Sequence, residues 1–385
     1  MKVQFKNLDG IRFFAAFMVL ISHAFFFKDR LSLKSIFLDK WFEDAGRIGV
    51  NLFFVLSGFL ISYLLIKEKD LHGTISYKKF YVRRILRIWP LYLVLGTAST
   101  ILSSYILEKL HLATFVGWHT TLINLLFLVF FAVNFQLAFF NDNRGIFEIS
   151  WSVCIEEQFY LIWPILINIF RKRLLLLFVI MFFIRNGLRV LIYLLPHFTH
   201  WKFEDIRELN YVLLFDKLDL FAGGMLFAWV YDNREKWKKF MSIILNKYLQ
   251  GIMILLTALY CLSILRPANY AVFYFSDHII NIILFGYLLL SAVSAESIIN
   301  LEHPLLKTLG KISYGIYLFH PAVCQLLFIL FSKIFSPNHY ILIYYILYPI
   351  VCTAATGIIA YISYEKFEKY FLVKKARFST IVTRI

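Results

Sequence analysis

The sequence predicts an all-α fold, a polytopic helical bundle built for a membrane. Three observations carry this. The 385 residues are 60% hydrophobic and 17% charged, with a mean hydropathy of +0.71, whereas soluble domains sit near ~45–50% apolar and ~25% charged. Apolar runs long enough to cross a bilayer recur along the whole chain. The charge that remains is unbalanced, 40 Lys and Arg against 24 Asp and Glu for a formal +16, and it collects between the runs. In a soluble protein such an excess would suggest nucleic acid. Here it reads as basic loops facing anionic lipid, and no nucleic-acid partner is expected. Intrinsic disorder is excluded by the same composition.

A span needs about 20 mostly apolar residues. Such runs begin near residues 11, 48, 86, 152, 174, 214, 248, 276, 312 and 340, and a further apolar stretch covers 118–140. Charge decides the count. The loop 67–87 carries Lys67, Lys69, Lys78, Lys79, Arg83, Arg84 and Arg87 against Glu68 and Asp70, so it is expected in the cytoplasm. Arg171-Lys172-Arg173 should also be cytoplasmic, which requires one of 118–140 and 152–170 not to cross. The stretch 118–140, followed by Asn141-Asp-Asn-Arg-Gly145, is the better candidate for a re-entrant or interfacial segment. Ten spans then place the basic segment 232–247 and the tail with Lys374, Lys375, Arg377 and Arg384 inside, with both termini cytoplasmic. The expected division is a membrane domain over 1–372 and a short basic tail over 373–385. Asn7-Leu-Asp-Gly-Ile-Arg precedes the first run and no small-residue cleavage site follows it, so that run is expected to be retained. Cys154, Cys261, Cys324 and Cys352 lie in or beside apolar runs without the spacing of a metal site or a disulfide framework.

Ionisable residues inside hydrocarbon are costly and tend to mark sites. His23 lies near the outer end of the first span and Arg12 near its inner end, roughly 16 Å apart along one helix. Glu156 and Glu157 follow Trp151-Ser152. Arg185 and Arg189 share a helix face, and Arg185 lies deep enough to need a carboxylate, with Glu156 and Asp219 as alternatives. Asp216, Lys217 and Asp219 open the run near 214. His320 stands near Ser313, Tyr314 and Tyr317. Arg83, Arg84 and Arg87 form a cationic corner before Trp89-Pro90, and arginine forks suit phosphate.

These residues fall in segments that resemble the membrane acyltransferase-3 family, whose members O-acylate surface carbohydrates. The resemblance opens with Leu8-Asp9-Gly10-Ile11-Arg12, Ala15, Ala16, Val19 and His23. It runs through Gly49-Val-Asn51-Leu-Phe-Phe-Val-Leu-Ser57-Gly58-Phe-Leu60, Arg83-Arg84-Ile-Leu-Arg87-Ile-Trp89-Pro-Leu-Tyr92 and Trp151-Ser152-Val153 with Glu156-Glu157-Gln158-Phe-Tyr160. It closes with Gly310-Lys-Ile-Ser-Tyr-Gly-Ile-Tyr317-Leu-Phe-His320-Pro321 and Glu365. The resemblance implies ten spans and the roles of catalytic histidine for His23, its arginine partner for Arg12 and the motif acid for Glu156. It assigns Arg83, Arg84 and Arg87 to the acyl-CoA site. Many members have Asp where this chain has Asn51, which can hydrogen-bond but cannot pair as an anion. Some relatives carry an extracellular hydrolase-like domain, and this chain is similar to the stand-alone members.

The implied enzyme is an O-acyltransferase of the plasma (inner) membrane. It moves an acyl group, acetyl foremost, from acyl-CoA as donor substrate to a hydroxyl of a cell-surface, exported or lipid-linked glycan such as lipopolysaccharide. His23 has the ordinary pKa range of a general base. Asn51, Ser57, Trp151, Arg185, Asp219, Tyr317 and His320 are the candidate substrate contacts. No tightly bound cofactor and no metal are expected, membrane lipid is the surrounding partner, and a homo-oligomer is compatible with the sequence. Two other readings stay open at this level: ping-pong transfer through an acyl-His23 intermediate, and a transporter or flippase of an acylated or glycan substrate.

Overall fold

The computed structural model describes residues 2–3, 5–26, 39–109, 117–140, 146–336, 340–378 and 382–383. The Asn141–Gly145 segment and Arg384, both used in the charge argument, lie outside the described residues. The fold is all-α. Its helices are α1 (Leu8–Phe26), α2 (Asp39–His72), α3 (Tyr77–Lys109), α4 (Gly117–Val129), α5 (Val133–Phe139), α6 (Trp151–Phe170), α7 (Leu174–Leu194) and α8 (Phe203–Tyr211). They continue with α9 (Leu214–Asp232), α10 (Lys238–Ile244), α11 (Lys247–Cys261), α12 (Tyr270–Val293), α13 (Pro304–Lys311), α14 (Ser313–Ile334), α15 (Tyr348–Ser363) and α16 (Lys369–Ala376). The one pairing of extended chain among the described residues is a parallel contact of Lys2–Val3 with Val382–Thr383.

All ten expected runs are helical. Seven described helices are long and apolar enough to cross a membrane, and eight if α10 and α11, bent by 54° at their junction, count as one broken span. The other two expected spans are α3 and α9. Each is long enough; Asp216, Lys217 and Asp219 charge the start of α9, while Arg83, Arg84 and Arg87 lie in the first turns of α3, ahead of its apolar part. The family of helices makes this a multi-pass membrane protein, and its large exposed apolar side chains, such as Leu161, Ile169, Phe183 and Ile350, are what a lipid-facing surface requires.

The stretch 118–140 is a helix, a break and a helix. Phe131 takes a positive φ of 52° between α4, 13 residues, and α5, 7 residues. At 1.5 Å per residue neither reaches the ~30 Å of hydrocarbon. Residues of the motifs hold the break in place. Gln158 donates to the Phe131 carbonyl (3.0 Å) and exchanges hydrogen bonds with Asn134. Tyr92 stacks on Phe131 and donates to the Leu128 carbonyl (3.2 Å). Non-helical backbone is thus covered by protein groups, as a low-dielectric setting demands.

The chain forms two compact units. The first comprises Met1–Leu64, Gly223–Phe367 and Ile381–Ile385, the second Leu65–Ala222 and Glu368–Thr380. In the first, α14 packs along α15 and α1, and α13 along α1. The opening motif explains the α1 and α13 contact. Asn7, at φ 65°, donates through its side chain to the Ala292 carbonyl (2.8 Å) and accepts from Leu301 N–H (2.7 Å). Its own N–H donates to Glu302 (2.7 Å). Gly310 sits so close that a Cβ there would lie 2.1 Å from the Asp9 carbonyl oxygen. In the second unit α3 packs on α4, α6 and α16. Here α16 runs to Ala376, through the residue 372/373 boundary expected for the tail.

Candidate active site

The first unit holds the histidines. On α1, His23 is one turn beyond Val19, and its Nδ1 lies 2.9 Å from the Val19 carbonyl. A carbonyl only accepts, so Nδ1 carries the proton and Nε2 of the neutral ring keeps its lone pair. On α14, His320 repeats the arrangement, with Nδ1 3.2 Å from the Ile316 carbonyl and the Tyr317 carbonyl also facing the ring. The next residue explains the second carbonyl: Pro321 has no N–H, so it removes the helical donor that Tyr317 would otherwise meet. The two imidazoles stand edge to face with ring centroids 4.9 Å apart. Tyr317 flanks His320 at 5.7 Å and packs on Phe53 of α2 at 6.0 Å. His320 is fully buried and its Nε2 has no hydrogen-bond partner.

Close helix approach fixes this cluster. A Cβ at Gly49 of α2 would lie 2.6 Å from the Ala15 carbonyl oxygen and 2.9 Å from Val19 Cγ2. The same segment of α1 supplies the carbonyl that orients His23. Arg12, at the other end of α1, pairs with Asp9 (2.9 Å). Asn51 is fully buried and both its amide atoms lack a hydrogen-bond partner, while Ser57, further along α2, is buried.

The second unit brings the two other motifs together. Trp89 donates its indole N–H to Glu157 Oε2 (2.9 Å), and Tyr160 donates to Glu156 Oε2 (3.3 Å). The Arg84 guanidinium lies 5.4 Å from the Tyr160 ring centre and 5.7 Å from that of Phe80. Its Nε and Glu157 Oε1 are buried without hydrogen-bond partners. The three arginines are not equivalent. Arg83 spends its fork on the Phe378 carbonyl (2.9 Å) and on Glu68 (3.4 Å), so it secures the segment after α16. Arg84 and Arg87 stand one turn apart as the cations of the corner.

A third cluster, also in the second unit, answers the question of Arg185. Its partners are Asp219 (3.3 Å) and Asp216 (3.8 Å), and Glu156 is engaged elsewhere. Asp216 also accepts from Arg189 (3.0 Å), Lys217 (2.7 Å) and Asn210 (3.2 Å). Lys217 Nζ lies 3.8 Å from the centre of the Tyr211 ring, and Tyr211 packs on Trp151 at 5.2 Å. Trp151, Arg185 and Asp219 therefore belong to one connected group.

Sequence reasoning passed over a fourth cluster, in the first unit. Asp44 pairs with Arg266 (2.6 Å) and Arg47 (3.4 Å), and Arg47 reaches Asp277 (3.3 Å). Both guanidinium carbons lie within 5 Å of the Phe273 ring, at 4.7 and 4.4 Å. Asp44 and Arg47, three apart at the start of an apolar run, and Asp277-His278 inside another were the available signals.

Relatives bear on the same segments. The peptidoglycan O-acetyltransferase OatA of Listeria monocytogenes is 26% identical over 384 residues, covering 94% of this chain and 55% of its own length. A putative O-acetyltransferase of Staphylococcus aureus strain COL is 31% identical over 172 residues, 42% of this chain and 24% of its own. The putative peptidoglycan O-acetyltransferase YrhL of Bacillus subtilis is 32% identical over 163 residues, 41% and 23%. The chain thus spans about half the length of the first of these curated relatives and less of the others. No solved structure gives a significant match. The family model described as "Acyltransferase domain" matches residues 5–364, and the chain belongs to the acyltransferase-3 family.

Proposed function

We propose that this acyltransferase moves an acetyl group from acyl-CoA to a sugar hydroxyl of peptidoglycan, with His23 as general base. The observation that carries the reading is the tautomer of His23. Its Nδ1–H is spent on the Val19 carbonyl, so Nε2 is the free acceptor a sugar hydroxyl needs. The hydroxyl oxygen attacks the acyl carbon as its proton passes to Nε2, the C–S bond breaks, and the CoA sulfur leaves as the free thiol with that proton. The names of the relatives favour peptidoglycan over the lipopolysaccharide of the wider expectation.

Arg84 and Arg87 are the groups for the donor's phosphates, in the first turns of α3, the region that the positive-inside pattern assigns to the cytoplasm, with both termini on that side. Arg83 is the anchor beside them. Glu156 enters as the motif acid, held by Tyr160. The test is acetyl transfer by purified protein in lipid nanodiscs, from radiolabelled acetyl-CoA to a peptidoglycan-derived disaccharide. Transfer lost in His23→Ala, and a raised acetyl-CoA requirement in the Arg84→Gln, Arg87→Gln double variant, are expected. Uptake or flipping of the disaccharide without acetylation would favour a transporter instead.

A further inference from the structure

The register of α14 against α15 places a second orphaned polar group beside the histidines. Along the antiparallel pair, Phe331 meets Tyr344 (6.4 Å) in the turn leading into α15, Phe328 meets Tyr348 (6.3 Å), and Tyr348 donates to the Cys324 carbonyl (2.8 Å). Cys324 and Cys352 then meet in one buried core. One more turn along each helix gives His320 and Thr356, and the next gives Ile316 and Ala360, which share a packed core with Cys324, Cys352, Ala16 and Leu20. His320 and Thr356 are both 0% exposed. His320 Nε2 and Thr356 Oγ1 both lack any hydrogen-bond partner. Buried polar atoms are nearly always paired, and the one other threonine of these two helices is: Thr353 donates to the Pro349 carbonyl (2.8 Å). A lone pair on one side and a hydroxyl on the other are complementary to a single O–H group that donates to the first and accepts from the second.

We propose that His320 and Thr356 read the acceptor sugar. A hydroxyl neighbouring the attacking one enters beside His23, donates to His320 Nε2 and accepts from Thr356 Oγ1. This rests on the acetyl-transfer reading above and extends it to which hydroxyl of the ring faces the base. It puts the acceptor contact on α14 and α15, where the sequence offered only His320 and Tyr317. An amide N–H of the acyl-donor arm presents related chemistry, and the two sources separate kinetically.

The experiment measures KM for acetyl-CoA and for the peptidoglycan-derived disaccharide separately, in nanodiscs, for Thr356→Val, Thr356→Ser, His320→Phe and His320→Gln, beside His23→Ala. Val and Phe preserve shape and remove the hydrogen-bonding atom, whereas Ser and Gln keep one. The expected result is an acceptor KM raised about fivefold by Thr356→Val and by His320→Phe, an unchanged acetyl-CoA KM, and recovery in the Ser and Gln variants. Thr356→Val should also melt no lower than the wild type, because it removes an unsatisfied buried hydroxyl. An unchanged acceptor KM in Thr356→Val overturns the proposal and leaves an internal water as the occupant. A shift in the acetyl-CoA KM alone overturns it in favour of the donor arm. If His23→Ala stays fully active while Thr356→Val loses acceptor affinity, the base assignment fails and the acceptor pair stands.

Discussion

Gly49→Ala tests whether helix approach sets the chemistry of His23. The added Cβ would lie 2.6 Å from the Ala15 carbonyl oxygen, 2.9 Å from Val19 Cγ2 and 3.3 Å from Met18 Cβ. Side-chain carbons rarely approach closer than 3.0–3.4 Å, so α1 and α2 must separate by roughly 0.4–0.8 Å, and the nearest obstacle is backbone that cannot rotate away. Overpacking of this size costs about 1–3 kcal/mol, which a domain of this size survives. The displaced backbone includes Val19, whose carbonyl orients the His23 ring. Misplacement approaching 1 Å costs on the order of 100-fold in rate, so transfer should fall about 10- to 100-fold. The assay is the initial rate of acetyl transfer per folded protein, with folding checked by gel filtration and melting. A Gly49→Ala enzyme of normal rate would refute the idea that this contact positions the base.

Other perturbations have definite outcomes. Arg185→Met leaves Asp216 and Asp219 buried without their shared cation, and should cost about 3–5 kcal/mol. Adding Asp219→Leu should recover part of that, and a single variant melting like the wild type would contradict the pairing. Trp89→Phe removes the donor to Glu157 and should cost about 1 kcal/mol, non-additively with Glu157→Gln, as thermal melting would reveal. Glu302 lies outside the spans. Its partial burial opposes ionisation, but the Asn7 N–H and the Lys307 ammonium outweigh this and hold its carboxyl below its ordinary value of 4.5. The stability it contributes is therefore complete above that value and lost as pH falls through the lower, folded-state pKa. Melting of the wild type between pH 5 and about pH 3 should show this loss, and Glu302→Gln should show less of it.

The helices were legible because hydrophobic length is a direct physical requirement of the bilayer, and charge placement marked 118–140 as the better candidate not to cross, a stretch that is broken at Phe131. Partner choice inside the bundle was not legible. Arg83, Arg84 and Arg87 read as one corner, yet Arg83 is tied to Glu68 and the Phe378 carbonyl, a contact with a segment 295 residues away. Glu156 and Glu157 are neighbours in the motif, and the structure gives them different donors, Tyr160 for Glu156 and the Trp89 indole for Glu157. Arg185 demanded a carboxylate, which the structure supplies twice, as Asp219 and Asp216. Thr356 left no trace in the sequence, since a threonine in an apolar helix ordinarily bonds its own backbone, and its orphaned hydroxyl emerges only from the α14 and α15 register.

The central claim is that His23 Nε2 takes the proton of the attacking hydroxyl. The most direct measurement is the rate of acetyl transfer to the peptidoglycan-derived disaccharide by wild type and His23→Ala at equal amounts of folded protein. The account predicts a loss of at least about 100-fold, with acetyl-CoA binding retained. Transfer within a few-fold of the wild-type rate would contradict it.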